Sequence, residues 1–508
     1  MGFSLKQSDK KRSIDDMIKS SFWAYSGVFL ILFLGLVSTV ILARLLDKEN
    51  WGILSTIIAV VSFLSSLSEM GLNYYIVYTS SKYDRRPSEL RSKLAAPIKW
   101  KLGIIFLIAI LMLVYSDNLA LFFNIENGGK FFVAGSIYFI FYNLFSVFSG
   151  ILDGIKKFKE ESIVSTINQL LRLILSAGLV ILGFGVDGAI TGYIVSVAIA
   201  TFIQSYILRN VISFSGKSED SLQDMFSFGF FYGITSIAAT FTMWTDSIMI
   251  GFFLGTTAVG IYRIAVSIAS SSSSLLSGIS KVTFPYFTSA ESAGRDSFEN
   301  LNKVIKYLLF ISLPAVIGLA LLSDAIVNVF FGIQYIEAAL PLMMLSYFIF
   351  DGVTTGMVNS YLGAKKLTKQ IGTCAVFASL ANIILNVVFI PILGIIGAAI
   401  ASVISRALGL IIMIKWSEKI LKVRFTFPIR IPLLSSLIMA AALLLMRAYI
   451  DPSSSFLLLF LFIFLGIGIY LITASIFGFR VLDFVRKIII ALVPEKILRS
   501  IPYINRFD

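Results

Sequence analysis

Phe22–Ala43 reads FWAYSGVFLILFLGLVSTVILA, without one charged side chain, and Arg44 closes it. A helix crosses the hydrocarbon core of a bilayer in about 20 apolar residues, so this stretch alone predicts a transmembrane span. Outward from it the pattern repeats to Gly478, as 22–43, 52–76, 102–123, 131–152, 162–183, 188–208, 226–250, 257–284, 304–323, 338–361, 370–391, 395–415, 431–449 and 455–478. Of the 508 residues 57% are apolar and 14% charged, where an average soluble domain carries about 25% charged residues. The fold class is an all-α polytopic membrane protein of about fourteen transmembrane helices, with no soluble domain between them.

The chain has no histidine and one cysteine, Cys374. No Cys/His metal site, histidine general base or disulfide framework follows from such a set. There is no Walker A sequence for a nucleotide phosphate. The expectation is therefore not an enzyme, with no cofactor. Met1–Ser20 is polar and lacks the apolar core of a cleavable signal peptide. The net charge of +13 points to loops on the cytoplasmic side of a membrane rather than to nucleic acid.

Lysine and arginine test the span count. With the N-terminus in the cytoplasm, the outer loops receive Arg44, Lys48, Lys130 and Arg447. The spans hold Arg172, Arg263, Lys281 and Arg406, and the remainder fall on the cytoplasmic side, among them Lys99 and Lys101 in the loop after the second span. This alternation predicts a multi-pass protein of the cytoplasmic (inner) membrane with both termini cytoplasmic. Beyond Gly478, Val481, Leu482, Val485, Ile488, Ile489 and Leu492 share a helical face, which predicts an amphipathic helix on the inner leaflet.

The chain also repeats itself. Leu45–Ile53 aligns without gaps on Phe253–Ile261, Gly154–Lys157 on Gly363–Lys366, and Gly185–Ala189 on Gly394–Ala398. Each match has a displacement of 208 or 209 residues, a spacing that holds six spans. An even number of spans gives both copies one orientation, so the expectation is two parallel six-helix repeats. The domains follow as a cytoplasmic tail 1–21, a first bundle 22–210, a linker 211–225, a second bundle 226–420, an additional helix pair 421–478 and a tail 479–508.

These pieces resemble a known family. Ala43-Arg44-Leu45-Leu46 to Trp51-Gly52-Ile53, Glu69-Met70-Gly71-Leu72, Asp246–Gly255 running into Val259-Gly260-Ile261-Tyr262, and Phe284-Pro285 are similar to the polysaccharide repeat-unit (Wzx-type) flippases of the MOP superfamily. That superfamily also holds the multidrug and toxin extrusion antiporters and the lipid II flippases. The resemblance covers nearly the whole chain. It implies a V-shaped, MATE-like pair of bundles around a cavity lined by spans 1, 2, 7 and 8. The implied activity is translocation of an oligosaccharide linked to an undecaprenyl- or dolichyl-type pyrophosphate from the inner to the outer leaflet. Alternating access, coupling to H+ or Na+, and contact with membrane lipids and with glycan polymerase or glycosyltransferase machinery go with it.

An ionised side chain at a helix centre costs about 2.5–3.5 kcal/mol on insertion scales, so such residues face a cavity or a partner. Arg263 has the planar donor fork that suits pyrophosphate, or it pairs with Asp246. Lys281 lies five helical turns further on the same face, extending a cationic stripe or snorkelling to the interface. Arg44 meets the headgroup or anchors span 1. Asp246 and Asp351 are candidates for ion coupling, with Asn382 and Asn386 as neutral oxygens for sodium. No other metal site is assigned. Arg172 and Arg406 read as members of intrabundle networks, Arg406 with Asp351 for example, and Glu69 as a partner of Lys281. Ser270–Ser274, Gly229/Gly233 and Gly251/Gly255 read as helix packing.

The alternative reading is a multidrug cation antiporter of the same fold, whose cavity would be acidic. A membrane glycan polymerase or glycosyltransferase would need a large outer loop with clustered acids. The longest one here, near 116–130, carries Asp117 and Glu126.

Overall fold

The structure is a computed structural model that describes residues 27–69, 71–84, 86–212, 222–292 and 298–479. The expected tails, 1–21 and the chain beyond Phe479, lie outside these residues, as do 213–221 of the expected linker. Among the described residues the chain is nearly all helical, the stretch 423–429 being an exception. The first part comprises α1 (Gly27–Leu45), α2 (Lys48–Glu69), α3 (Leu72–Lys82), α4 (Pro87–Val114), α5 (Ser116–Phe122), α6 (Gly129–Gly154), α7 (Phe158–Leu179) and α8 (Gly185–Ile207). The second comprises α9 (Leu222–Leu254), α10 (Thr256–Ser292), α11 (Phe298–Leu321), α12 (Ser323–Phe331), α13 (Ala339–Leu345) and α14 (Tyr347–Ala364), then α15 (Thr368–Leu393), α16 (Ile395–Leu421), α17 (Arg430–Arg447) and α18 (Phe456–Ile476).

Twelve helical stretches among the described residues are long and apolar enough to cross a membrane. One of them, Phe158–Ile207, runs for 50 residues and covers the expected span 162–183 and all but the last residue of 188–208. It is two helices. Gly183 (φ 91°) and Gly185 (φ 50°) turn the chain between them, a left-handed backbone that glycine adopts without a Cβ clash. α7 and α8 then lie side by side, with Ser176 Oγ donating to the Ala189 carbonyl at 3.1 Å. The 33-residue α9 contains the expected span 226–250. Large apolar side chains such as Leu121, Ile181 and Ile472 stand outward. Lipid, which is as apolar as they are, removes the penalty water would impose.

The second span departs from its expected bounds of 52–76. α2 ends at Glu69, Gly71 takes φ 80°, and a separate α3 begins at Leu72. The following loop is also corrected. Most of the stretch 77–101 is helical, and Lys99 and Lys101 belong to α4, which starts at Pro87. Hydropathy begins the third span at the first uncharged run, whereas Pro at the first helical turn starts the real helix several turns earlier.

The helices form two compact units, Met1–Ser271 with Lys369–Met413, and Ser272–Thr368 with Ile414–Asp508. In the first, Ile76, Leu90, Leu94, Ile98, Val147 and Ile151 join α3, α4 and α6 in one core. Gly154 lies against Ser80 and Val77 of α3, where a Cβ would stand 2.8 Å from the Val77 carbonyl oxygen. The starts of α2 and α10 meet backbone to backbone. A Cβ on Gly260 would be 2.9 Å from Gly52 Cα, and one on Gly52 would collide with the Thr256 carbonyl. Trp51 Nε1 closes the contact by donating to the Gly260 carbonyl at 3.0 Å. Gly52 and Gly260 are the same position in the two copies read from the sequence.

In the second unit, α11, α12, α17 and α18 enclose Phe310, Leu322, Leu443, Phe462 and Tyr470. Tyr470 Oη donates to the Phe310 carbonyl at 2.6 Å, and Arg447 ties α17 to the Leu321 carbonyl at 2.7 Å and to Asp324. In the α17–α18 connection the backbone N–H and hydroxyl of Ser453 both donate to Asp451. These bonds hold the Asp451 carboxyl below the usual carboxylate range. They support the turn above the unfolded carboxylate pKa, and that support is lost as pH falls through the lowered folded value.

Gly52→Ala inserts a methyl where no space exists, and overpacking of this kind costs about 1–3 kcal/mol. The variant is expected to lower the thermal unfolding midpoint in detergent, while Gly103→Ala on α4, where a Cβ meets nothing within 4 Å, leaves it unchanged.

Candidate ion and substrate site

Asp246 lies in α9 and is 4% exposed. Its Oδ2 accepts from Tyr262 Oη of α10 at 2.7 Å and from Ser402 Oγ of α16 at 2.5 Å. Its Oδ1 accepts from Asn386 Nδ2 of α15 at 2.7 Å. The same amide nitrogen lies 3.1 Å from Asn382 Oδ1, and Asn382 Nδ2 donates to Ser402 Oγ at 3.3 Å. Tyr262, Asn382, Asn386 and Ser402 are all fully buried. Four helices thus contribute to one polar cluster, and every contributor lies in the first unit.

A buried carboxylate persists in low dielectric only when its lone pairs are filled. Here three donors occupy three of about four acceptor positions. Asn386 Oδ1 is buried and has no hydrogen-bond partner among the described residues. It is an unfilled acceptor on the side chain whose Nδ2 reaches both Asp246 and Asn382. One carboxylate with neutral amide and hydroxyl oxygens is a donor set for a hard monovalent cation. Among the described residues no cluster of three or more His, Cys, Asp or Glu side chains exists.

Arg263 follows Tyr262 in α10. It makes no ion-pair contact with Asp246, whose oxygens accept from Tyr262, Ser402 and Asn386, which corrects that alternative. Instead the guanidinium carbon stands 4.3 Å above the Trp244 ring, a cation–π contact worth about 0.5–2 kcal/mol. Its Nη1 is buried with no partner among the described residues, and the side chain as a whole is half-buried. Trp244 sits two residues before Asp246 in α9, so consecutive residues of α10 reach two residues of α9 that flank Thr245.

The other expected residues separate. Arg44 is exposed at the end of α1. Lys281 lies in α10, but its side chain falls outside the described residues, and so does any pairing with Glu69. Glu69 is half-buried at the end of α2 and accepts from Asn73 Nδ2 at 3.2 Å. Arg172 donates to Gln169 Oε1 and stands 5.0 Å above the Tyr193 ring. Asp351, in the second unit, accepts from Thr355 Oγ1 at 2.8 Å. Arg406 lies in α16, near the Tyr262 phenol.

Three features escaped sequence reasoning. Tyr262 and Ser402 complete the Asp246 cluster, yet single hydroxyls in apolar helices are too common to stand out. Lys101 is 1% exposed, and its Nζ donates to Ser68 Oγ at 2.9 Å. Ser68 Oγ lies 2.8 Å from Asn143 Oδ1, and Asn143 Nδ2 donates to Ser65 Oγ at 2.9 Å. The third is an apolar groove of about 470 Å³ in the second unit, lined by Phe310, Pro314, Gly318, Leu443, Phe462 and Gly466 among others. Glycines at 318 and 466 leave it open, since a Cβ on Gly318 would meet nothing within 4 Å.

The model of the polysaccharide biosynthesis protein family matches residues 41–340, and the chain belongs to that family. It is 27% identical over 394 residues to the "Probable flippase AglR" of Haloferax volcanii, covering 75% of this chain and 79% of that one. It is 23% identical over 405 residues to the lipopolysaccharide biosynthesis protein WzxC of Escherichia coli K12, covering 78% of each. Among solved structures, the lipid II flippase MurJ in an inward closed conformation superposes with a TM-score of 0.72 at 21% identity, covering 89% of this chain and 98% of that one. The fold is therefore of the MurJ and MATE kind.

Asp246→Leu strands three buried donors, and each unmatched group costs about 1–3 kcal/mol. Its thermal midpoint in detergent is expected to fall well below that of Asp246→Asn, which keeps a carbonyl oxygen for Tyr262 and Ser402.

Proposed function

We propose that the protein is a flippase that carries a polyprenyl-pyrophosphate-linked oligosaccharide from the inner to the outer leaflet of the cytoplasmic membrane. The family and the flippase names borne by its relatives support this reading over the multidrug antiporter. The observation that carries the substrate class is Arg263, a guanidinium held on an indole with a buried, unmatched N–H. Such a group is prepared for an anionic headgroup, since phosphate oxygens supply the acceptors it lacks. A drug antiporter would present carboxylates to its cationic cargo instead. Lys281 and Arg44 would extend the headgroup contacts on the same reading, and both termini would lie in the cytoplasm.

The apolar groove between α11, α17 and α18 offers the carrier's hydrocarbon a surface of matching chemistry. Sodium is the coupling ion that best fits the oxygens around Asp246. Asp246, Asn382, Asn386 and Ser402 would hold it, the carboxylate supplying the charge and the amides the neutral ligands. A proton on Asp246 is the competing assignment. In either case binding at one cluster would bias the transporter between its two facing states, as alternating access requires.

The expected outcome in cells depleted of the protein is accumulation of lipid-linked oligosaccharide in the inner leaflet, measured by its accessibility to a membrane-impermeant probe. Wild type restores export and Arg263→Ala does not. Equal rescue by both removes the arginine from the mechanism, and no accumulation overturns the flippase reading. Gly318→Trp fills the groove and is expected to slow export at least tenfold while the folded protein is retained.

A further inference from the structure

Tyr262 and Arg263 are consecutive residues of one helix, and each touches a different residue of α9. Tyr262 Oη donates to Asp246 Oδ2 at 2.7 Å, and Arg263 stacks on Trp244 at 4.3 Å. The phenol is fully buried. Two residues earlier, Gly260 is fixed by the Trp51 hydrogen bond and the Gly52 backbone. This stretch of α10 is thus clamped at Gly260, tied at Tyr262 and stacked at Arg263 within four positions.

We infer that Tyr262 is a positioning residue that couples occupancy of the Asp246 cluster to the placement of the Arg263 guanidinium. The inference rests on the reading of Asp246 as a cation site. A carboxylate oxygen that shares its lone pair with a cation is a weaker acceptor, so the phenol bond lengthens when the cluster is filled. The phenol, fully buried, cannot turn to water for another partner. Its displacement is taken up by the backbone, and the clamp at Gly260 directs it along α10 into the next residue. Arg263 then shifts on Trp244, and its unmatched Nη1 is re-aimed. Ser402, which donates to the same oxygen from α16, is followed by Val403 and not by an arginine, and serves as the control.

The test uses the full-length protein in detergent, with sodium chloride titrated against choline chloride at constant ionic strength. Two signals are followed, the thermal midpoint and the emission of Trp244, the latter defined as the component lost in Trp244→Phe. In wild type, sodium is expected to raise the midpoint and change Trp244 emission with one common midpoint concentration. Tyr262→Phe is expected to keep sodium stabilisation within about tenfold in concentration and to lose the Trp244 response. Ser402→Ala is expected to bind more weakly and keep it.

Stabilisation that depends on Asp246 but leaves wild-type Trp244 emission unchanged overturns the coupling, and this result needs no variant of Tyr262. So does a full Trp244 response in Tyr262→Phe. If neither sodium nor a change of pH affects the midpoint of wild type in an Asp246-dependent way, the cation-site reading itself fails and the coupling with it. A Trp244 response to pH rather than to sodium, again lost in Tyr262→Phe, supports the coupling with a proton as the ion.

Discussion

Hydrocarbon offers no hydrogen bonds, and that constraint organises this molecule at every level. Backbone groups must be paired within each segment, so the described chain is helical. Side-chain polar groups must find one another, so they collect in a few closed clusters rather than scatter. The Asp246 cluster draws one or more residues from each of α9, α10, α15 and α16, and it supplies three donors to a carboxylate that water would otherwise solvate. The Lys101 cluster does the same with Ser65, Ser68 and Asn143 from α2 and α6. In each case neutral oxygens and amides stand in for solvent, and at Lys101 the Glu69 carboxylate adds an opposite charge nearby.

The same constraint sets how helices approach. Apolar side chains gain little by leaving lipid for one another, so close packing falls to small residues. Gly52 against Gly260, Gly154 against α3 and Ser176 against α8 all bring backbones into contact. The Gly52–Gly260 contact brings together the residues that the sequence aligns between its two copies. It also fixes the start of α10, the helix that carries both Tyr262 and Arg263. Packing and chemistry therefore meet within a few residues.

The two copies are not chemically equal. Asp246 corresponds at the 208-residue spacing to Ser38, a buried serine whose hydroxyl has no partner among the described residues. Asp351 corresponds in the same way to Asn143, which here serves Lys101. The first copy keeps a buried ammonium that feels the Glu69 carboxylate, and the second a buried carboxylate at Asp351. The positions that the sequence aligns thus differ in charge. Elsewhere the copies match in backbone. Lys156 and Lys366 both take φ 60° at the ends of α6 and α14, and Gly185 and Gly394 both take positive φ. The lysine turns pair residues 210 apart, one more than the spacing at which Gly154 aligns with Gly363. Equivalence at that turn is set by the left-handed residue and not by the glycine.

The sequence by itself determined the class of the molecule. Long uncharged runs can only be spans, and ionisable residues inside them can only be functional or paired, so Asp246 and Arg263 stood out at once, with Asn382 and Asn386 one turn apart as neutral oxygens. What hydropathy could not give was the partner of each group. The positions of Lys101, Tyr262 and Ser402 depend on where helices start and which faces meet, and these follow from Pro87, from the break at Gly71 and from glycine contacts between residues far apart in the chain. Only the tertiary structure decided that Asp246 binds Tyr262 rather than Arg263. The reason is physical: a carboxylate with three donors already aimed at it needs no guanidinium, and the arginine next to that tyrosine is left to an aromatic face.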